Sequence, residues 1–121
     1  METIAGGNGA HSKMDGMDGA HCHITNSLNM PVEAVEHEYP LMVEEYCLIN
    51  GSSGSGRMRG GMGVAREVRA LSDDTTFSGR ADSFITAAEG YDGGLPGSHC
   101  RIIRNFGSQN EIVMAPKQRL I

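Results

Sequence analysis

Apolar positions in this chain cluster in short runs, set apart by stretches rich in Gly, Asn, Asp and Ser. Residues 41–50, LMVEEYCLIN, are dense in β-formers and end in Asn50-Gly51, which predicts a strand closed by a turn. Strict alternation puts Leu41, Val43, Glu45, Cys47 and Ile49 on one face and Met42, Glu44, Tyr46 and Leu48 on the other, so neither face is cleanly polar. Residues 64–71, VAREVRAL, predict a second strand with Val64, Arg66, Val68 and Ala70 together. A short helix is the alternative there, because Ala, Arg, Glu and Leu favour helix. Residues 75–80 read as a third strand in which Gly79 marks a bulge. Residues 98–105 and 110–115 read as a hairpin across Phe106-Gly107-Ser108-Gln109, and 117–121 as a final short strand or a docking tail. Residues 81–89 fit helix or loop, and GYDGGLPG at 90–97 is a turn cluster.

One short helix fits the spacing, from residue 31 to about 37. Asn29 lies in the N-cap region, Pro31 suits the first turn, and Glu33 complements the dipole. Pro40 stops it. Residues 1–29 read as irregular, with turns at Asn8-Gly9, Asp15-Gly16 and Asp18-Gly19. Residues 50–63, NGSSGSGRMRGGMG, resemble a flexible linker, interrupted by Arg57 and Arg59, whose equal parity puts both on one side of an extended segment. The expected class is α+β: strand-dominated, with a Gly-rich irregular N-terminal third and one short helix. The expected unit is a single domain over 1–121, with a site-type loop and short helix in 1–40 and mainly strands and turns in 41–121.

Composition narrows this further. Apolar residues make up 39% of the 121, there are eight Met and no Trp, and the 17 Gly are about twice ordinary usage. A core that thin points to burial against another chain. The net charge of −5 gives no basic footprint, which argues against nucleic acid as main partner. No apolar run approaches a membrane span, and the N-terminus lacks the basic and apolar regions of a signal peptide. Three cysteines, at 22, 47 and 100, with no CxxC, read as reduced thiols in a cytoplasmic protein.

The candidate chemistry lies in 5–40. His21-Cys22-His23 puts two imidazoles on one side of an extended segment, where they could ligate Zn, Mn or Fe with a carboxylate from Asp15 or Asp18. They could equally act as polar site groups without metal, or hydrogen-bond loop backbone. Cys22 points the other way and reads as packed. Thr25 and Asn26 could orient a substrate, or bond their own loop. Glu33, Glu36 and Glu38 read as a solvated helix face. Gly6-Gly7-Asn8-Gly9 could cradle an anion, but no GK[ST] follows, so no nucleotide motif is present. Arg57 and Arg59 could clamp a carboxylate or phosphate, or meet an acidic partner. His99-Cys100 has no assignable partner.

Taken together, ETIAGGNGA at 2–10, KMDGMDGAHCHITNSLNMPVEAVEHEYP at 13–40 and GSGRMRGGMGV at 54–64 resemble the hydantoinase B/5-oxoprolinase family, in its C-terminal part. Met58 stands where that family usually has an aromatic, and the family's longer N-terminal portion, where the resemblance implies most of its metal-binding His and Asp lie, has no counterpart here. The resemblance therefore implies a split-off small subunit that completes a hydantoinase-B-like chain. Among such enzymes the acetophenone carboxylases are the ones associated with a small extra subunit. The implied function is an ATP-dependent, biotin-independent ketone carboxylase complex, inactive as this chain alone. The alternatives are ATP-dependent opening of a hydantoin or 5-oxoproline-type ring, a purely structural bracing subunit, and a free-standing metal module. The implied partners are hydantoinase-A-like and hydantoinase-B-like large subunits, with ATP/Mg on a partner and Zn or Mn a candidate metal of the complex. The implied site groups are His21, His23 and Asn26, with Asp15, Asp18 and Thr25 as substrate contacts or loop anchors.

Overall fold

The computed structural model describes residues 2–22, 24–25 and 27–120. Helix α1 (Val32–Glu38) is followed by strands β1 (Leu41–Leu48), β2 (Val64–Ala70), β3 (Phe77–Arg80), β4 (Ile103–Arg104), β5 (Ile112–Val113) and β6 (Lys117–Leu120). The strands form three separate antiparallel pairs, β1–β2, β3–β6 and β4–β5. The chain is thus strand-dominated with one short helix, the expected α+β class. Residues 98–102, expected in the last hairpin, lie outside its two-residue ladder. Residues 81–89 form no helix.

Pro31 is the N-cap of α1, with φ −53° and ψ 142° and no side-chain cap. Asn29, expected in that N-cap region, makes other bonds, described below. Glu33 and His37 sit in the first and last turns, where their signs suit the dipole. Tyr39 takes extended φ/ψ, as the residue before Pro40 must, and its N–H closes the last turn on Val35 O at 3.1 Å. Val35 is buried, and Glu36 Oε1 accepts from Val43 N at 2.9 Å, fixing helix to strand.

The alternation expected for β1 is broken by a bulge. Val43 pairs with Val68, but Glu45 pairs with Glu67, so Glu44 is the extra residue. A one-residue insertion swaps the faces beyond it. Leu41, Val43, Tyr46 and Leu48 therefore share a face, opposite Ala70, Val68, Arg66 and Val64. This corrects the two mixed faces of strict alternation: two apolar half-strands of opposite parity become one apolar face. The β2 face is the one its sequence predicts. The N-terminal segment lies over this surface, and a Cβ on Gly19 would stand 3.0 Å from Val64 Cγ2 and 3.3 Å from Leu48 Cδ2.

Residues 50–63 are not a linker. Their backbone is clasped on two sides. Towards the N-terminus, Gly61 N donates to Asn8 O (2.7 Å), Gly16 N to Arg59 O (2.7 Å) and Gly19 N to Met62 O (2.9 Å). Towards the C-terminus, Leu95 N donates to Ser55 O (2.7 Å) and Ser98 N to Ser52 O (2.9 Å). Ser52, a buried polar residue, donates to Ile49 O and accepts from Gly63 N at 2.7 and 2.8 Å. The glycines make this possible by having no side chain. A Cβ on Gly7 would lie 1.9 Å from Gly61 O, one on Gly16 2.1 Å from Asn8 O, and one on Gly61 2.0 Å from Met17 O. None of these three is among the positive-φ glycines, so the need is for space, not for the left-handed region.

Little apolar surface is buried. Among the described residues only Ala5, Val35 and Met114 are buried hydrophobics, while Ile24, Leu28, Ile85 and Tyr91 are almost fully exposed. The accessible surface is 9406 Å². A compact chain of 12.9 kDa would expose about 6,300 Å².

Replacing Gly61 by Ala is expected to lower stability by about 2 kcal/mol, because the methyl must displace backbone. Gly6→Ala, with nothing within 4 Å of its Cβ, should stay within about 0.5 kcal/mol of the parent. Urea midpoints of the two variants check this. Equal midpoints would remove the case for backbone contact as the constraint.

Candidate functional site

Two side-chain clusters rise from the Gly-rich block. The first is built by Asp15 and Asp18, from the repeated Met-Asp-Gly turns, against residues 59–62. Asp15 Oδ1 accepts from Arg59 N at 2.7 Å. Asp18 Oδ1 accepts from Met62 N at 2.7 Å, and its two oxygens take Arg59 Nη1 at 2.8 Å and Nη2 at 3.3 Å. The pair is the fork-on-carboxylate arrangement that only arginine offers. The Arg59 guanidinium, helped by the Met62 N–H, holds the Asp18 carboxyl below the usual carboxylate range, partly opposed by desolvation. Asp18 in turn pushes Arg59 up. Arg57, grouped with Arg59 by parity, stays exposed. Both aspartates are therefore engaged with residues 59–62.

The second cluster contains His21. Its Nε2 lies 3.3 Å from Asn29 Oδ1, which also accepts from Tyr46 OH at 3.0 Å. Asn29 Nδ2 donates to Thr3 O at 2.7 Å and to Glu2 Oε1 at 3.1 Å. The same Glu2 oxygen accepts from Met30 N at 3.1 Å and from Arg66 Nη1 at 2.8 Å. The Arg66 side chain is only 1% exposed and its Cζ sits 4.8 Å from the Tyr46 ring centroid, within cation–π range. Arg66 Nε is buried without a hydrogen-bond partner. A cavity of about 190 Å³, lined by Glu2, Met30, Val35, Tyr39 and Leu41, adjoins the cluster.

Of the other residues singled out from sequence, Thr25 Oγ1 donates to Cys22 O at 2.9 Å, the local loop bond. His23 and Asn26 lie outside the described residues. Cys22, Cys47 and Cys100 carry no disulfide. The Cys47 thiol donates to Glu45 Oε1, which pushes it up, and burial pushes up Cys100. Among the described residues no group of three or more His, Cys, Asp or Glu could hold a metal ion. The donor set explains this: Asp15 and Asp18, the carboxylates nearest His21 in sequence, are taken up by Arg59 and Met62. The described residues thus do not fit a metal centre.

Glu2, Asn29, Tyr46 and Arg66 are functional candidates that sequence reasoning missed. One signal was available: Arg66 is the single charge in the row Val64, Arg66, Val68, Ala70, and an ion on an apolar face needs a partner.

Comparison with known proteins bears on all of this. The model of the hydantoinase B/oxoprolinase family matches residues 1–121. The chain is 36% identical over 118 residues to a protein of Pseudomonas sp. (strain NS671) assigned as the B-type component of a D-/L-hydantoinase, a match covering 98% of the chain and 20% of that protein. It is 42% identical over 74 residues to a 5-oxoprolinase of Dictyostelium discoideum, covering 61% of the chain and 6% of the relative. It is 31% identical over 81 residues to the beta chain of the caprolactamase of Pseudomonas jessenii, covering 65% and 14%. The chain thus spans a fifth or less of the length of these relatives. No solved structure gives a significant match. No helix among the described residues is long and apolar enough to cross a membrane.

Asp18 yields an acid-sensitivity test. Its folded-state pKa is lowered, so its bonds contribute fully above the unfolded value of about 3.9 and are lost as pH falls through the folded value. Wild-type denaturation midpoints should fall below about pH 4, and Asp18→Asn should flatten that part of the profile. An unchanged acid limb in the variant would count against the Asp18–Arg59 clasp.

Proposed function

This chain belongs to the hydantoinase B/oxoprolinase family, and we propose on that basis that it works as one part of a larger ATP-dependent enzyme, folded against a hydantoinase-B-like partner whose site it completes. The observation that carries this reading is the surface. The chain exposes about 3,000 Å² more than a compact chain of its mass. Covered by a partner, an excess of that size would make an interface at the upper end of the obligate range, which counts both surfaces. Ile24 and Leu28, in the segment between His21 and Asn29, are 101% and 95% exposed. A partner that covers them sits against the site.

The relatives' names favour the reaction class. Hydantoinase, 5-oxoprolinase and caprolactamase are all named for cyclic amides, so ATP-driven opening of a cyclic amide is the first reading. Carboxylation of a ketone, as in an acetophenone carboxylase-like complex, is the second; both begin by activating a carbonyl oxygen. Nucleotide and Mg would bind on a hydantoinase-A-like subunit, and any divalent metal on the hydantoinase-B-like one. This chain would contribute His21 and, from outside the described residues, His23 and Asn26 as polar site groups. A cytoplasmic setting, where ATP is supplied, goes with this reading.

Co-expression with the two large chains tests this. The three should co-purify, and ATP turnover should depend on a cyclic amide in one arm or on ketone and bicarbonate in the other. The small chain alone should be inactive. His21→Ala should leave the complex intact and lower turnover about 100-fold. A wild-type chain that stays a folded monomer beside the large chains would sink the proposal. An intact His21→Ala complex at full turnover would reduce the chain to a brace.

A further inference from the structure

The amide of Asn29 can be oriented without ambiguity, and its orientation dictates the tautomer of His21. Two groups face one end of the amide: the Thr3 carbonyl at 2.7 Å and the Glu2 carboxylate at 3.1 Å. Both are acceptors, so that end must be the NH₂. The other end is the oxygen, and it faces Tyr46 OH at 3.0 Å and His21 Nε2 at 3.3 Å. A carbonyl oxygen only accepts, so Nε2 must carry a hydrogen. In neutral His21 the lone pair then belongs to Nδ1.

We infer that Asn29 is a positioning residue: it holds His21 as the Nε2–H tautomer, so that Nδ1 is the ring atom that accepts a hydrogen from a substrate N–H or O–H. Every member of the support is itself fixed. Asn29 makes four bonds, the full capacity of its amide with two donors and two accepting sites. Glu2 is tied to Met30 N and Arg66, and Arg66 is sealed under the Tyr46 ring. A side chain held this way does not reorganise when a hydrogen is transferred to the histidine it orients, which is what an orienting group contributes to acid–base work. The opposite tautomer would place two lone pairs together at Nε2 and Oδ1 and leave the hydrogen on Nδ1, where it could donate but not accept.

This inference rests on the reading of His21 as a site group, yet its test reads the ring directly and needs no turnover. The experiment uses the full chain, with its large partners if they are required, labelled with ¹⁵N in histidine. Nitrogen spectra of the uncharged ring should show His21 with a protonated Nε2 and a bare Nδ1. Tyr46→Phe should keep that signature, since only the second donor to Asn29 is removed. Asn29→Ala should lose the Nε2–H signal to solvent exchange while the other histidines are unchanged. A neutral wild-type His21 protonated on Nδ1 and bare at Nε2 would overturn the inference even if Asn29→Ala does not fold. So would a folded Asn29→Ala protein with an unchanged His21 signal. A confirmed tautomer together with full turnover in His21→Ala would instead remove the site reading and leave the orientation standing.

Discussion

Three stretches of backbone meet here without side chains between them, and that contact decides how the rest of the chain is arranged. Residues 7–8, 16–17 and 59–61 approach until no Cβ would fit at Gly7, Gly16 or Gly61. Chains that close must also pair the N–H and C=O groups that the contact takes from water. They do so outside any regular sheet, through Asn8, Gly16 and Gly61. Where the backbone supply ends, Asp15 and Asp18 take the N–H groups of Arg59 and Met62. This contact is therefore polar, and the Met14 and Met17 side chains beside it are exposed. Each such bond contributes on the order of 1 kcal/mol net, so the arrangement holds shape without supplying the hydrophobic term that usually dominates.

The same constraint explains which parts of the fold were legible from sequence. Runs of β-formers located β1 and β2 to within two residues, because a strand's signature is local. Its pairing is not local, and the bulge at Glu44 has no sequence mark beyond a change of parity between Leu41-Val43 and Tyr46-Leu48. Residues 50–63 failed for a deeper reason. Glycine permits freedom, and glycine permits close approach. Composition cannot separate the two until the segments on either side, 7–19 and 94–98, are known to arrive.

The site divides along the same line. Asp15 and Asp18 stood out because Asp-Gly turns put carboxylates on a loop, and Arg59 stood out as a charge inside a glycine run. That they face one another needed the backbone contact. Glu2, Asn29, Tyr46 and Arg66 come from four separate stretches, and only the hairpin register together with the N-terminal crossing brings them to His21. No spacing rule encodes such a meeting. The family match over the whole chain adds what geometry alone lacks, a reason to look for a functional site in a chain that spans a fifth of a relative's length.

Arg66 shows what this region favours. A chain with three buried hydrophobics among its described residues nevertheless seals a guanidinium to 1% exposure. Desolvating that charge costs several kcal/mol, and one carboxylate, the Met30 carbonyl at 3.5 Å and one ring face recover it only in part. An apolar side chain between Val64 and Val68 would pack against Tyr46 at no such cost. It would also release Glu2, and with Glu2 one of the two acceptors that set the Asn29 amide. A buried ion is thus weak evidence for stability and better evidence for fixed orientation. Here the orientation it fixes passes through Glu2 and Asn29 to a single ring nitrogen of His21.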